Sequence, residues 1–277
     1  MLGKLIKHEL RATARTMLPL FAVLSVMAVL AGFSMRQLEF QQDMPAFVEL
    51  VMIIVLMVFF IAMIATVVMA FVIMISRFYK NLLGDEGYIM LTLPVSTHSH
   101  VWSKLIVSGL WFIATAALIS ILMCLVALIV SGSQIGVELA KLPSFSQLFR
   151  EFCEFSGYNG LSLTVFITEV ILTMVLGIFN TCLIFYAAMA IGHSFSDRKI
   201  LHSVLAFAGI SIVLSIFESV LALFMGANFG ANIMIGYRNF AYSLNWLILQ
   251  GLLLAIVETV PMYFITTHFL KKKINLA

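Results

Sequence analysis

Six long apolar stretches constrain this chain more than any other feature of its sequence. They cover approximately residues 17–35, 47–75, 105–131, 161–192, 201–225 and 244–269. A helix needs about 20 mainly apolar residues to cross the hydrocarbon core of a bilayer. Uninterrupted runs of this length also favour helices over the short alternating strands of a membrane barrel. The sequence therefore predicts an all-α integral membrane protein with six transmembrane helices.

The composition excludes a water-soluble alternative. Of the 277 residues, 62% are hydrophobic and only 10% carry a charge, whereas soluble domains carry about 25% charged residues. A soluble globule of this size leaves about a quarter of its chain surface in water, which is too much to cover with so few polar groups. We therefore expect lipid to surround most of the protein.

The distribution of basic residues predicts the orientation, because cytoplasmic loops carry an excess of Lys and Arg. Twelve of the 16 basic residues fall on one predicted side: Lys4, Lys7, Arg11, Arg15, Arg77, Lys80, Lys104, Arg198, Lys199, Lys271, Lys272 and Lys273. The other side holds Arg36, Lys141, Arg150 and Arg238. Both termini and the segment 84–104 are therefore predicted to be cytoplasmic, and the segment 132–160 extracellular.

Residues 1–16 have the pattern of an amphipathic helix that precedes the six-span domain, residues 17–277. At helical spacing, the four basic residues fall on one side, and Leu2, Leu5, Ile6 and Leu10 fall on the other. Such a helix is typical of the membrane interface, with its basic face towards anionic headgroups. A cleaved signal peptide over residues 1–32 is a weaker alternative, because the apolar core is long and its removal would disturb the charge distribution.

Glu9 interrupts the apolar face of this first helix. Its carboxyl group could extend towards water or pair with a neighbouring arginine. It could also contact a partner protein.

A polar segment between spans two and three, GDEGYIMLTLPVSTHSHVWSK, covers residues 84–104. Pro94 stops any helix before it, since the residue preceding a proline is pushed out of the α region. Ser96 offers a side-chain oxygen to cap a new helix, which we expect to run from about residue 97 into span three. Tyr88 and Leu93 belong to an apolar run that is unusual for a solvated loop, and such runs usually meet a partner.

The run GDEGYIMLTLP, followed by VS and by SK at the entrance to the next span, resembles permease subunits of ATP-binding-cassette transporters. The similarity is to the type-2 exporter class common in Gram-positive bacteria, which also has the amphipathic first helix, six spans and cytoplasmic termini. The matching residues are Gly84, Asp85, Glu86, Gly87, Tyr88, Thr92, Leu93, Pro94, Ser96, Ser103 and Lys104. His98 and His100 depart from the pattern, and as i, i+2 neighbours on a helix they face different ways, so we expect no metal pair.

The resemblance implies that the segment between spans two and three forms a coupling helix, which docks in a cleft of a separate ATPase subunit. Carried over to this chain, the coupling residues are Asp85, Glu86, Gly87, Tyr88, Leu93, Pro94 and Ser96. Thr97 and His98, which follow Ser96 directly, complete the predicted coupling set. It also implies two ATPase subunits and a second copy of the permease or a related permease chain. The expected activity is ATP-driven export of an amphipathic peptide, drug or lipid from a bacterial plasma membrane.

The chain lacks the motifs of an enzyme. No G-x-x-x-x-G-K-[ST], H-E-x-x-H or G-x-S-x-G occurs, so ATP and Mg²⁺ are expected on the partner ATPase. The cysteines Cys124, Cys153 and Cys182 show no C-x-x-C spacing and predict no metal site. We expect no cofactor on this chain and no nucleic-acid partner.

Four polar residues inside the predicted spans are candidates for a translocation pathway: Glu169, Asn180, Glu218 and Glu258. Glu258 is expected to lie deepest, with Glu169 and Glu218 nearer the outer face. Such groups mark either a substrate route or a contact between helices, and both alternatives stay open for the glutamates. For the Ser and Thr hydroxyls of these spans we expect hydrogen bonds between helices.

A second functional hypothesis is an ion-coupled secondary transporter in which Glu169, Glu218 and Glu258 carry protons. It predicts gradient-driven transport without an ATPase. The sequence shows no internal repeat, which argues against the inverted-repeat transporter folds.

Overall fold

The computed structural model describes residues 2–40, 44–84, 87, 96–141, 163–195, 197–233 and 237–272. In these ranges the chain forms helices and connecting turns and contains no strand. The α-helices are α1 (Leu2–Phe40), α2 (Ala46–Phe78), α3 (Thr97–Lys141), α4 (Leu163–Gly192), α5 (Lys199–Ile233) and α6 (Tyr237–Lys272). All six are long and apolar enough to cross a bilayer. The protein is therefore an all-α, multi-pass membrane protein, as predicted.

Several helices extend beyond the apolar stretches that predicted them. Helix α1 includes the whole of the segment 1–16 from Leu2 onwards, and it continues through Pro19. Helix α3 continues ten residues beyond the predicted end of span three, to Lys141. An apolar run marks the part of a helix that lipid can cover, but the backbone hydrogen bonds continue through polar residues of good helix propensity, such as ELAK at 138–141.

The chain divides into two compact units. Unit 1 comprises residues 1–76 and 106–144, and unit 2 comprises residues 77–105 and 145–277. Helices α2 and α3 contribute residues to both units, because each division falls inside a helix.

In unit 1, α1 packs against α2 and α3. One core cluster consists of Leu24, Ala28, Ala31, Phe59, Leu122 and Val126. A second consists of Met17, Ala70, Val107 and Trp111. The Trp111 Nε1–H donates to Thr13 Oγ1 at 2.7 Å, which fixes the indole against α1.

The apolar face of residues 2–16 contacts other parts of the protein, whereas the sequence predicted that it faces the membrane interface. The basic side chains are exposed, but Ile6 and Leu10 on the apolar face pack against the cluster around Trp111. Glu9 on the same face is only 8% exposed and has an interaction partner within the chain. Part of this face is therefore covered by protein, and the interfacial location of the helix stays a prediction.

In unit 2, α4 packs against both α5 and α6. The side chains of Asn180 and Glu258 meet across α4 and α6 with a separation of 78 residues in the chain. Thr173 and Gly251, which are also 78 residues apart, approach within 3.8 Å when a Cβ atom is built on the glycine. Equal separations at two levels mean that α4 and α6 run parallel.

Helices α4 and α5 form an antiparallel hairpin with a tight turn. Arg198 adopts a left-handed conformation with φ of 48°, just before α5 begins. A Cβ atom at Gly192 would overlap the backbone and side chain of Ser203, so only glycine permits this approach of the two helices. Further along the hairpin, the rings of Phe185 and Phe207 stack with centroids 4.8 Å apart.

The outer surface of unit 2 includes an unusually bare helix. No residue of α5 between 199 and 223 is buried. Its exposed side chains include Ile200, Val213 and Leu223. Lipid or another apolar partner must cover this surface, because an apolar surface of this extent is unfavourable in water.

Candidate functional site

The functional candidates of unit 2 lie at two levels, which α6 connects. The first level is the basic end, which we define as the end of unit 2 that holds Lys80, Lys104, Arg198, Lys199 and Lys271. The second level is a polar cluster farther along α4, α5 and α6, formed by Asn180, Glu218 and Glu258.

At the basic end, α2 finishes in a π-helical turn, Tyr79–Leu83. The Gly84 N–H donates to the Tyr79 carbonyl at 2.8 Å, which closes the wider i to i+5 ring of a π-helix. The ring of Phe78, fully buried, stacks on that of Tyr186 with centroids 3.9 Å apart. The chain therefore enters the segment 84–104 from a well-anchored turn of a kind that often marks functional positions.

Gly87 is the one residue between 85 and 95 that the structure describes. Its N–H donates to the Gly84 carbonyl at 2.8 Å, and an added Cβ atom would lie 2.7 Å from the Leu82 carbonyl oxygen. A larger residue would therefore force the turn apart. The other predicted coupling residues in this stretch, Asp85, Glu86, Tyr88, Leu93 and Pro94, lie outside the described residues.

Ser96 caps the N-terminus of α3, as the sequence predicted. The Ser99 N–H reaches the Ser96 side-chain oxygen at 3.3 Å and its carbonyl at 2.9 Å. The His100 N–H reaches the same carbonyl at 3.3 Å. Thr97 is the first helical residue. These bonds satisfy amide groups that have no partner inside the first turn of a helix.

His98 joins the start of α3 to the last turns of α6. Its Nδ1 lies 2.7 Å from the Tyr263 hydroxyl, and its Nε2 lies 2.9 Å from Lys271 Nζ. A lysine ammonium can only donate, so Nε2 accepts and the ring proton belongs on Nδ1, which donates to Tyr263. The imidazole is therefore a bridge between two helices that are far apart in the sequence.

The two motif residues farther along α3, Ser103 and Lys104, are buried. Ser103 donates to the His100 carbonyl at 2.8 Å. Lys104 is only 4% exposed and interacts within the chain. A buried ammonium group is costly unless it is paired, so this turn of α3 is held by specific contacts.

His193 follows α4 at the basic end and is also buried. Its Nδ1 lies 2.9 Å from the Met189 carbonyl, and its ring meets the edge of Tyr79 with centroids 5.2 Å apart. Burial lowers the pKa of His193 below its ordinary value, and the positive charge of Lys199 lowers it further, against the opposing effect of the hydrogen bond to Met189. The neutral form is therefore the one that the fold favours.

The polar cluster brings together three of the four residues predicted for the pathway. The Asn180 amide donates from Nδ2 to Glu258 Oε2 at 2.6 Å, and Glu218 lies close enough for its carboxyl group to interact electrostatically with that of Glu258. Side chains on a helix lean towards its N-terminus. Because α5 and α6 run in opposite directions, Glu218 and Glu258 lean towards each other.

Glu169 lies apart from this cluster, and two of the hydroxyl groups differ from their prediction. Glu169 lies eleven residues before Asn180 on α4, about 16 Å away along the helix axis, so it does not belong to the cluster. Thr173 donates to the Glu169 carbonyl at 2.8 Å, and Ser219 donates to the Ser215 carbonyl at 2.7 Å. The predicted bonds between helices are therefore wrong for these two side chains, because a nearby carbonyl of the same helix satisfies each hydroxyl.

Helix α6 carries residues of both levels, and a proline between them interrupts its backbone hydrogen bonds. Glu258 and Tyr263 are five residues apart, about 7.5 Å along the axis. Between them lies Pro261, inside the helix. A proline has no N–H to donate to the carbonyl four residues earlier, so helices bend there.

No protein-family model matches the chain, and no curated protein or solved structure matches it. The functional proposal therefore rests on the geometry of unit 2 and on the residue pattern at 84–104.

Proposed function

We propose that the protein is the membrane-spanning permease subunit of an ATP-driven exporter, in which a separate ATPase subunit grips the segment 84–104. The observation that carries the proposal is the bridge from His98 to Tyr263 and Lys271. It ties the first turn of α3, which begins directly after that segment, to the helix that carries Glu258. A pull on the segment would therefore reach the polar cluster.

The anchoring of the segment supports the same mechanism. The π-helical turn holds its start, and the Ser96 cap with the buried Ser103 and Lys104 holds its end. A segment fixed at both ends can transmit force, whereas a loose loop would absorb it. ATP binding would close the ATPase subunits, displace the start of α3, and move the part of α6 beyond Pro261.

The route of the substrate would run past Asn180, Glu218 and Glu258. Export of an amphipathic substrate would need two permease copies, identical or related, in a bacterial plasma membrane. ATP and Mg²⁺ would be bound by the ATPase subunits, and this chain would supply no hydrolytic chemistry.

Copurification with the product of a neighbouring ATPase gene tests the proposal. Deletion of residues 84–98 is expected to abolish both the association and the transport-coupled ATPase activity. If the truncated chain kept both, the coupling role of the segment would be wrong.

A point substitution separates docking from transmission. His98→Ala is expected to reduce the coupled ATPase activity while the ATPase subunit still copurifies, because the bridge to α6 is lost and the rest of the segment is intact. His268→Ala is the matched control, since this exposed histidine lies near the same end of α6. Equal coupled activity in the two variants would show that the bridge transmits nothing.

An ion-coupled secondary transporter is the second candidate, and the proximity of Glu218 to Glu258 favours it. Two such carboxyl groups could share and release a proton. Proteoliposomes that contain only this chain would then accumulate substrate under a pH gradient. The exporter proposal expects no accumulation until the ATPase and ATP are added.

A further inference from the structure

The polar cluster contains buried acceptor atoms that its own donors do not satisfy. Glu258 is only 5% exposed, and Asn180 occupies its Oε2. Among the residues that the structure describes, no donor reaches Glu258 Oε1 or Asn180 Oδ1, and both atoms are buried. A buried acceptor without a donor is unfavourable, so an arrangement with two of them favours a ligand that brings donors.

Glu218 adds a repulsion between charges to the two acceptor atoms that lack donors. The carboxyl groups of Glu218 and Glu258 are close enough to repel each other when both are ionised, so a proton or a cation near the pair is favourable. Glu218 is exposed on α5, so a ligand can reach the pair from the surface of the helix. A positively charged group with several N–H donors would best satisfy the carboxyl oxygens of the two glutamates and the amide oxygen of Asn180.

The surroundings favour an organic cation over a metal ion. The described residues contain no group of three or more acidic, His or Cys side chains with metal-ligand geometry. Next to the cluster along the chain, Trp102 packs against Phe179, the residue before Asn180, and against Tyr263, five residues after Glu258. The ring centroids are 6.0 and 5.9 Å apart, respectively. Aromatic faces attract organic ammonium groups and contact their apolar parts.

We propose that Asn180, Glu218 and Glu258 bind the ammonium group of an amphipathic organic cation, with Trp102, Phe179 and Tyr263 beside its apolar part. This inference rests on the proposed function in one respect, since it makes cationic amphiphiles the substrate class of the exporter. The binding site itself requires no ATPase.

A pair of fluorescent probes that differ only in charge tests the inference. Monodansylcadaverine carries a primary ammonium group, and its N-acetyl derivative is neutral but otherwise closely similar. The full chain is reconstituted in nanodiscs of zwitterionic phosphatidylcholine, and probe binding is measured by fluorescence anisotropy. The ammonium probe is expected to bind at least about tenfold more tightly than the acetylated probe, as charge-assisted hydrogen bonds would require.

Substitutions in the cluster locate the binding. Glu258→Gln keeps an oxygen for the Asn180 amide and removes the charge. It is expected to weaken the binding of the ammonium probe at least about tenfold. Glu218→Gln, on an exposed position, gives a second variant if Glu258→Gln fails to fold. Glu49→Gln is the matched control, because this exposed glutamate lies in unit 1.

The outcomes are distinct. Equal binding of the two probes, or unchanged binding in both cluster variants, would overturn the inference. If the wild-type chain binds neither probe but takes up a proton that Glu258→Gln abolishes, the cluster holds a proton and the inference is also wrong. Loss of ATPase association with intact probe binding would refute the exporter proposal alone.

Discussion

Asn180 donates an amide hydrogen bond to Glu258 between α4 and α6. Asn180→Ala would leave Glu258 Oε2 buried without a partner. We expect a loss of about 1–2 kcal/mol in the free energy of unfolding, since hydrogen bonds between membrane helices are worth about this much at most. Thermal unfolding in detergent gives the measurement.

Thr168→Ala is the control for this substitution. Thr168 lies on the same helix, is exposed, and donates only to the Thr164 carbonyl of its own helix. If both variants unfold at the same temperature as the wild-type protein, the bond between Asn180 and Glu258 does not stabilise unit 2.

His193 predicts a pH dependence of stability. Because burial lowers its pKa in the folded protein, the unfolded chain takes up a proton first, near the ordinary value of 6.5. The stabilisation is therefore complete above that pH and is lost as the pH falls below it. His193→Asn, which keeps a donor for the Met189 carbonyl and does not titrate, should show a smaller drop in Tm between pH 7.5 and pH 5.5.

The control for His193→Asn is the same substitution at a histidine that is not buried. His268→Asn is expected to leave the drop unchanged, since His268 is exposed. An identical drop in the wild-type protein and the His193 variant would mean that His193 does not contribute to the acid sensitivity.

The residues of the cluster could be selected from the sequence, but their contacts could not. A carboxyl group in an apolar span is conspicuous, and so Glu258 and Glu218 were found. The pairing of Glu258 with Asn180 depends on the register of α4 against α6, which no local pattern encodes. His98 departs from the pattern that the segment resembles, and its partners lie 165 and 173 residues away.

At the level of single helices, the start of α3 depends on Ser96. Ser96→Ala removes the side-chain acceptor for the Ser99 N–H, which typically costs about 1 kcal/mol. We expect the amides of the first turn to exchange with deuterium about fivefold faster. Ser120→Ala in the middle of α3 is the control, since its hydroxyl bonds only to the Ala116 carbonyl. Unchanged exchange in the first turn would rule out the cap as a source of stability.

The N–H that Pro261 lacks leads to a prediction about α6. Pro261→Ala restores the missing N–H and should leave Tm unchanged or higher, because alanine is the better helix former. The transport-coupled ATPase activity is expected to fall, since the two parts of α6 can no longer move separately.

Pro19→Ala provides the same substitution inside α1 of unit 1. It is expected to leave the coupled activity intact. Full activity in the Pro261 variant would exclude a hinge at this position.

The existence of all six long helices could be predicted from apolar length, and their ends could not. Lipid contact stops where the apolar run stops, but helical hydrogen bonds do not. For this reason α1 starts at Leu2 and α3 reaches Lys141. The start of α3 is the exception, because Pro94 and Ser96 mark it with specific backbone chemistry.

For the whole molecule, the basic residues predict cytoplasmic termini. Alkaline phosphatase fused at the C-terminus in a bacterial host should be inactive, and a fluorescent protein at the same position should be fluorescent. A phosphatase inserted at residue 150 should be active, because the segment 132–160 is predicted to be extracellular. Activity of the C-terminal fusion would reverse the orientation and remove the ATPase from reach of the segment 84–104.

The bare surface of α5 bears on how a ligand arrives. No residue between 199 and 223 is buried, and Glu218 lies in this range. Where lipid covers this surface, a carboxyl group on it opens sideways into the bilayer leaflet around it. An amphiphile partitions from water into that leaflet, so the concentration that governs occupancy is the one dissolved in the bilayer. Occupancy of the site by a compound would then depend on its lipid partition coefficient as strongly as on its concentration in water.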